Sequence, residues 1–152
     1  MTSAFLTKDF SDYCAQKDAQ NTIQLNVTKW TFMLCDALRQ NFIEYSIKQH
    51  ERSLFRDLDN VAYHEACIED LKNGKCDYDF TFESGRKYHK VIMTAHGSRS
   101  VHCFIDKKTG EIYKSASWKS PAKGVRYDLR LIADREWLLE NADWSGAYLY
   151  AK

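Results

Sequence analysis

Proline is almost missing from this chain, and so are the spacings that announce familiar chemistry. Pro121 is the one proline in 152 residues, and there are only six glycines. Pro and Gly are the residues that most often end helices and strands. Residues 22–57 contain neither, so a long element can run there unbroken. No apolar run approaches the roughly 20 residues that a membrane span needs, so no membrane partner is expected. The five cysteines are odd in number, scattered, and never in a C-x-x-C pair. That excludes the common zinc spacings and a disulfide framework, and fits reduced thiols in the cytoplasm. The first residues lack a basic stretch followed by a long apolar run, so no secretory leader is expected. No nucleotide loop or nucleophile motif stands out. No cofactor, metal or catalytic residue is therefore expected.

What is present is the composition of a folded protein. Hydrophobic residues make up 44% and aromatic residues 14%, too many for a disordered chain. The length suits one domain, residues 1–152. The net charge of +1 conceals a division. Residues 1–83 hold 9 Lys/Arg against 14 Asp/Glu, residues 84–130 hold 11 against 3, and residues 131–152 hold 2 against 4. A basic segment between acidic ones can meet an anionic partner, or it can meet the acidic parts of its own fold.

Residues 1–21 read as a short helical or irregular arm, pinned by Phe5, Leu6, Phe10 and Tyr13. From about Leu25, Val27, Trp30, Leu34, Leu38, Phe42 and Tyr45 recur in steps of three and four. That is one face of a helix over residues 23–54, capped by Asn26 or Thr28. A second row, Phe32, Met33, Ala37, Ile43 and Ile47, widens the face enough to bury against a sheet and against a second copy of the chain. Residues 57–60 break the pattern. Val61, His64, Ile68 and Leu71 give a shorter helix that Asn73 and Gly74 end.

The period then drops to two. Tyr78, Phe80 and Phe82 alternate with Asp77, Asp79, Thr81 and Glu83. Strands follow over residues 88–95, 100–105 and 111–115, with Gly97–Ser98 and Thr109–Gly110 as turn centres. Residues 117–130 lose regular pattern. A short helix over residues 135–141, capped by Asp134, and a last strand over residues 147–150 complete the reading. The fold class is α+β: a long N-terminal helix and a shorter one packed on one face of an antiparallel β-meander of about four strands.

Four groups of residues invite a functional reading. Asp77, Asp79 and Glu83 share a strand face where carboxylates can collect a metal, although acids also keep an edge strand soluble. Ser120 and Lys123 form S-x-x-K, but the partner motifs of such nucleophiles are missing. His102 falls opposite Met93 if Gly97–Ser98 centres the hairpin, and there it reads as a core histidine. Finally, Lys107, Lys108, Lys114, Lys119, Lys123 and Arg126 surround Trp118. Cations beside an aromatic platform suit phosphate contact and base stacking.

The same stretch carries a resemblance. The run HCFIDKKTGEIYKSASWKSPAKGVRYDL, with ADWSGAYLY near the end, resembles small proteins of marine bacteriophages, including viruses of cyanobacteria. They share the pattern T-G-x-x-x-K-x-A-S-W-K-x-P-A-K, then R-Y/F-N/D. The resemblance covers residues 101–130 and 143–150; residues 1–99 take no part in it. It implies a viral or environmental origin and a host-cytoplasm setting, and it brings no activity. The leading functional expectation is a small non-enzymatic protein that binds a polyanion, such as nucleic acid, through the basic hairpin and loop. The alternative is a structural or adaptor protein, working as a homo-oligomer through helix 23–54 or on a host protein.

Overall fold

A computed structural model describes residues 9–150. A 47-residue helix, α1 (Phe10–Arg56), comes first. A single 3-10 turn (Leu58–Asn60) reverses the chain into α2 (Val61–Lys72). Five antiparallel strands follow in sequence order: β1 (Tyr78–Ser84), β2 (Tyr88–Ala95), β3 (Ser98–Asp106), β4 (Glu111–Lys114) and β5 (Tyr127–Asp128). Helix α3 (Ile132–Asn141) and a 3-10 turn (Ala147–Leu149) close the described chain. The fold is α+β, with a long N-terminal helix on an antiparallel meander.

Helix α1 lies along the strands. Thr28 meets His89 at one end of the sheet, Phe32 meets Phe82 edge to face, and Phe42 stacks on Tyr78 at the other end. Residues 28–42 of a helix span about 21 Å, and the six steps of β1 span about 20 Å, so helix and strand match in length. Val27, Leu34, Cys35 and Leu38 are buried against Phe80, Val91, Cys103, Ile105 and Ile112. Fully burying one such aliphatic side chain contributes about 1.5–3 kcal/mol. Beyond the sheet, α2 folds back on the last turns of α1. At the opposite edge, Tyr127 stacks on Trp137 of α3, and its hydroxyl donates to Tyr148 O at 2.8 Å.

Several expectations change. Helix α1 begins at Phe10, and its cap is Asp9, whose Oδ1 accepts from Asp12 N at 2.8 Å. Thr28 lies inside the helix and donates its hydroxyl to Gln24 O. Of the residues expected to pin the arm, Phe5 and Leu6 lie outside the described residues, while Phe10 and Tyr13 are exposed. The β2–β3 hairpin turn is His96–Gly97, with φ of 52° and 82°, so Met93 faces Ser100. A bulge then leaves His102 unpaired between Val101 and Cys103. Helix α3 starts three residues early, and Asp134 instead accepts from Asp128 N. Residues 147–150 form a turn in place of a strand, and β5 is an added strand of two residues. Among the described residues no helix is long and apolar enough to cross a membrane.

Candidate functional site

Alternation decides which side chains leave the helix-covered face. Glu83, Lys90, Phe104 and Tyr113 sit side by side across β1 to β4 on the other face. Tyr88 lies one pair further along β2. Phe104 and Ile92 are buried even though no helix covers them. The loop after β4 lies on that side of the sheet, with Trp118 against Lys90. It doubles back on β4, with Ala122 N donating to Lys114 O at 2.7 Å and Arg126 N to Ile112 O at 2.7 Å. Its tip crosses the outer face and sets Trp118 over two cations. Lys90 Nζ lies 4.6 Å from the indole centroid and the Arg99 guanidinium 5.4 Å from it. Such contacts are attractive because the ring face is electron-rich.

Beside Trp118, a hollow of about 350 Å³ opens at the β1–β2 turn. Arg86, Lys87, Lys90 and Lys119 supply its cations, Tyr88 and Phe104 its aromatic wall, and Glu83 its one acid. Glu83 is paired with Arg99 at 3.1 Å. Lys107 reaches the same turn: its Nζ donates to Gly85 O at 2.9 Å and its backbone N–H to Lys87 O at 3.0 Å. The hydrogen bond to Tyr88 holds the Lys87 ammonium above its ordinary pKa. Arg86, Lys87 and Lys119 are exposed, and Lys90 and Lys107 are half-buried.

The expected basic residues do not all meet there. Lys107, Trp118 and Lys119 do. Lys114 leaves on the opposite face, where its Nζ lies 4.4 Å from the Tyr150 ring centroid. Lys108 lines a separate hollow with Gln20, Ile23 and Gln24 of α1. Lys123 is exposed further along the loop, and Arg126 is half-buried beside β4. Sequence reasoning missed Arg86, Lys87, Lys90 and Arg99. Their signal was available in the basic segment, which begins at residue 84, and in the alternation that puts Lys90 beside Phe104.

The other candidate chemistry disperses. Asp79 accepts from Arg39 Nε at 2.7 Å, Asp77 lies 3.5 Å from His96 Nδ1, and Glu83 serves Arg99. Among the described residues no group of His, Cys, Asp and Glu can hold a metal ion. No helix starts at Ser120; its hydroxyl bonds that of Ser117 at 3.0 Å and its carbonyl closes a polar turn. His89 and His102 sit on the helix side of the sheet, away from that turn. His89 Nε2 donates to Thr28 Oγ1, whose own proton is committed to Gln24 O, so His89 Nδ1 accepts from Ser84 Oγ. His102 shares a 2.7 Å hydrogen bond with the Tyr148 hydroxyl. All five cysteines are free thiols.

No curated protein and no solved structure matches the chain. Over residues 10–151, which take in all the described helices and strands, the sequence matches one family, and the chain belongs to it: a family of unknown function (DUF7717).

Proposed function

We propose that the protein binds a polyanion, nucleic acid first among them, across the outer face of its sheet. One observation carries the reading. Four cations, Arg86, Lys87, Lys90 and Lys119, line a single hollow with two aromatic rings, and the only acid in that hollow is already paired. Phosphates in a row are what such a surface attracts, and release of their counterions drives binding. Trp118 holds two of the cations of the face in place and exposes 41% of its surface to a base. Lys107 extends the site at the turn. The resemblance to phage proteins supports the same reading, because a phage-type protein in a host cytoplasm meets nucleic acid as its most abundant polyanion.

Titration of labelled 20-mers, single- and double-stranded, tests this. Engaging four phosphates gives a log–log salt slope of about −3 to −4. Lys90→Ala and Lys119→Ala are each expected to reduce the slope by about 1, while Lys114→Ala, on the other face, leaves it unchanged. Flat titrations at low salt with both strand forms would sink the proposal.

A second reading, self-association through the long helix, rests on a separate observation. Residues 10–22 of α1 bury no side chain in their own fold, and Leu25 and Phe32 remain 70% and 59% exposed. Sedimentation of a strict monomer at all concentrations would end that reading.

A further inference from the structure

Behind the sheet end where α1 and α2 part, a second cavity of about 350 Å³ opens, lined by α1, α2, the segment leading into β1, and the β2–β3 turn. It is far from the basic face in chemistry. Its wall is the stacked pair Phe42 and Tyr78, with ring centroids 3.9 Å apart, and Leu71. Its charges nearly cancel: Asp70 and Asp77 face Lys75, and His96 sits beside Asp77. One side chain on its rim belongs to a line of three titratable groups. Asp57 Oδ2 lies 3.1 Å from His64 Nε2, and His64 Nδ1 lies 2.9 Å from His50 Nδ1.

That line fixes protons. Asp57 also accepts two hydrogen bonds from Asn60 Nδ2, at 2.8 and 2.9 Å, and these, followed by His64, hold its carboxyl below the usual range. A carboxylate can only accept, so His64 Nε2 must donate. With a single ring proton, placed at Nε2, His64 has its lone pair at Nδ1. His50 must donate from its own Nδ1, and the lone pair of His50 is left at Nε2. His64 is buried behind His50 and does not line the cavity, whereas His50 does. Burial, and then the neighbouring His64, lower the His50 pKa, so its Nε2 is unprotonated at neutral pH.

We propose that this cleft is a hydrolytic site for a small uncharged acyl compound, with His50 Nε2 as the general base toward water. His50 is the catalytic residue; His64 and Asp57 are positioning residues that hold its tautomer. The balance of the step is simple. Nε2 takes a proton from water as the water oxygen bonds to the acyl carbon. The carbonyl electron pair moves to its oxygen, where Lys75, on the cavity wall, is the available donor. The pair returns, the bond to the leaving group breaks, and the leaving group takes the proton from His50. The near-neutral lining and the apolar wall favour an uncharged ligand over a phosphate, which separates this site from the basic face.

Two measurements on the full chain decide it. Ring 15N NMR at pH 7.5 is expected to show His50 protonated at Nδ1 and bare at Nε2, and Asp57→Asn, which can offer an N–H to His64, is expected to reverse that tautomer. With p-nitrophenyl acetate as the probe, repeated turnover is expected, at least tenfold lower in His50→Gln and several-fold lower in Asp57→Asn, at a rate that levels off above the His50 titration. A proton on His50 Nε2 in the wild type overturns the proposal, and that reading needs no variant to fold. So does wild-type turnover by folded His50→Gln. A single burst of nitrophenol per chain also overturns it, since that marks acylation of Cys67 or Cys76 in place of hydrolysis.

Discussion

At the scale of single residues, the buried histidines set how the protein meets acid. His89 has both ring nitrogens engaged between α1, β1 and β2, and burial lowers its pKa to about 4, with Lys107 adding to the effect. His102, in the bulge of β3, is also lowered to about 4 by burial, against a smaller opposing pull from Asp143. The folded state therefore refuses protons that the unfolded chain accepts near its ordinary value of about 6.5. Stability is full above that value and falls as pH drops from about 6.5 to about 4, by roughly 3 kcal/mol for each histidine. Urea midpoints at pH 7 and pH 4.5 should differ accordingly, and His102→Gln should flatten the dependence. Glycine makes a second comparison. Gly110 has φ of 77°, and a Cβ there would lie 3.2 Å from Arg130 Cγ and 3.4 Å from Val27 Cγ2. Gly74 has φ of 82° with nothing within 4 Å. Left-handed backbone alone costs an alanine about 1–2 kcal/mol. Gly110→Ala is expected to lose more than Gly74→Ala, because a tight contact adds to that cost; thermal melts of the two variants check it.

At the scale of elements, what the sequence made legible was whatever it buries. The row from Val27 to Leu38 and the alternation in β1 to β4 were readable because each puts apolar side chains on one face, and the structure buries those faces. The start of α1 was not readable for the same reason. Residues 10–22 bury only Cys14, and that in part, so no apolar row marks them; the helix there rests on the Asp9 cap and on helix-forming residues such as Ala15, Gln16, Lys17 and Ala19. Strand β5 escaped notice because two residues are too few to show a period. Its pairing is held instead by the loop that doubles back on β4. The two halves of α1 should answer differently to truncation. Leu34→Ala removes a side chain with no exposed surface and is expected to cost about 2–5 kcal/mol. Leu25→Ala touches a side chain that is mostly in water and should stay within about 0.5 kcal/mol. Denaturant titration that gave the two equal losses would mean that the exposed row is covered in solution.

At the scale of the whole molecule, the charge division becomes a geometric one. The acidic first half supplies α1 and α2 on one side of the sheet, and the basic segment supplies most of the sheet and its outer loop. Among the described residues, the ion pairs that join the two segments, Glu83 with Arg99 and Asp77 with His96, lie on the sheet itself and its turns. The lysines and Arg86 of the outer face point away from the helical acids. Sequence reasoning found the segment and Trp118, but it grouped residues by nearness in the chain. Folding regrouped them: strand alternation sent Lys114 to the other face and brought in Lys90, and the β1–β2 turn brought in Arg86. A polyanion bound to the cations of this hollow, as proposed, would relieve their mutual repulsion only in the folded state. Binding to the folded state raises stability by about 2.7 kcal/mol when ligand stands at 100 times its Kd. For a chain of this size that is a Tm rise of about 5–10 °C. Scanning calorimetry with a 20-mer oligonucleotide should show the rise at 20 mM salt and lose it at 500 mM. The double variant Lys90→Ala, Lys119→Ala should show less of it, and Lys114→Ala should show all of it. A rise that survived high salt would assign binding to contacts other than charge. No rise at low salt would leave the basic face as a solvated surface, and the exposed row of α1 as the better place to look for a partner.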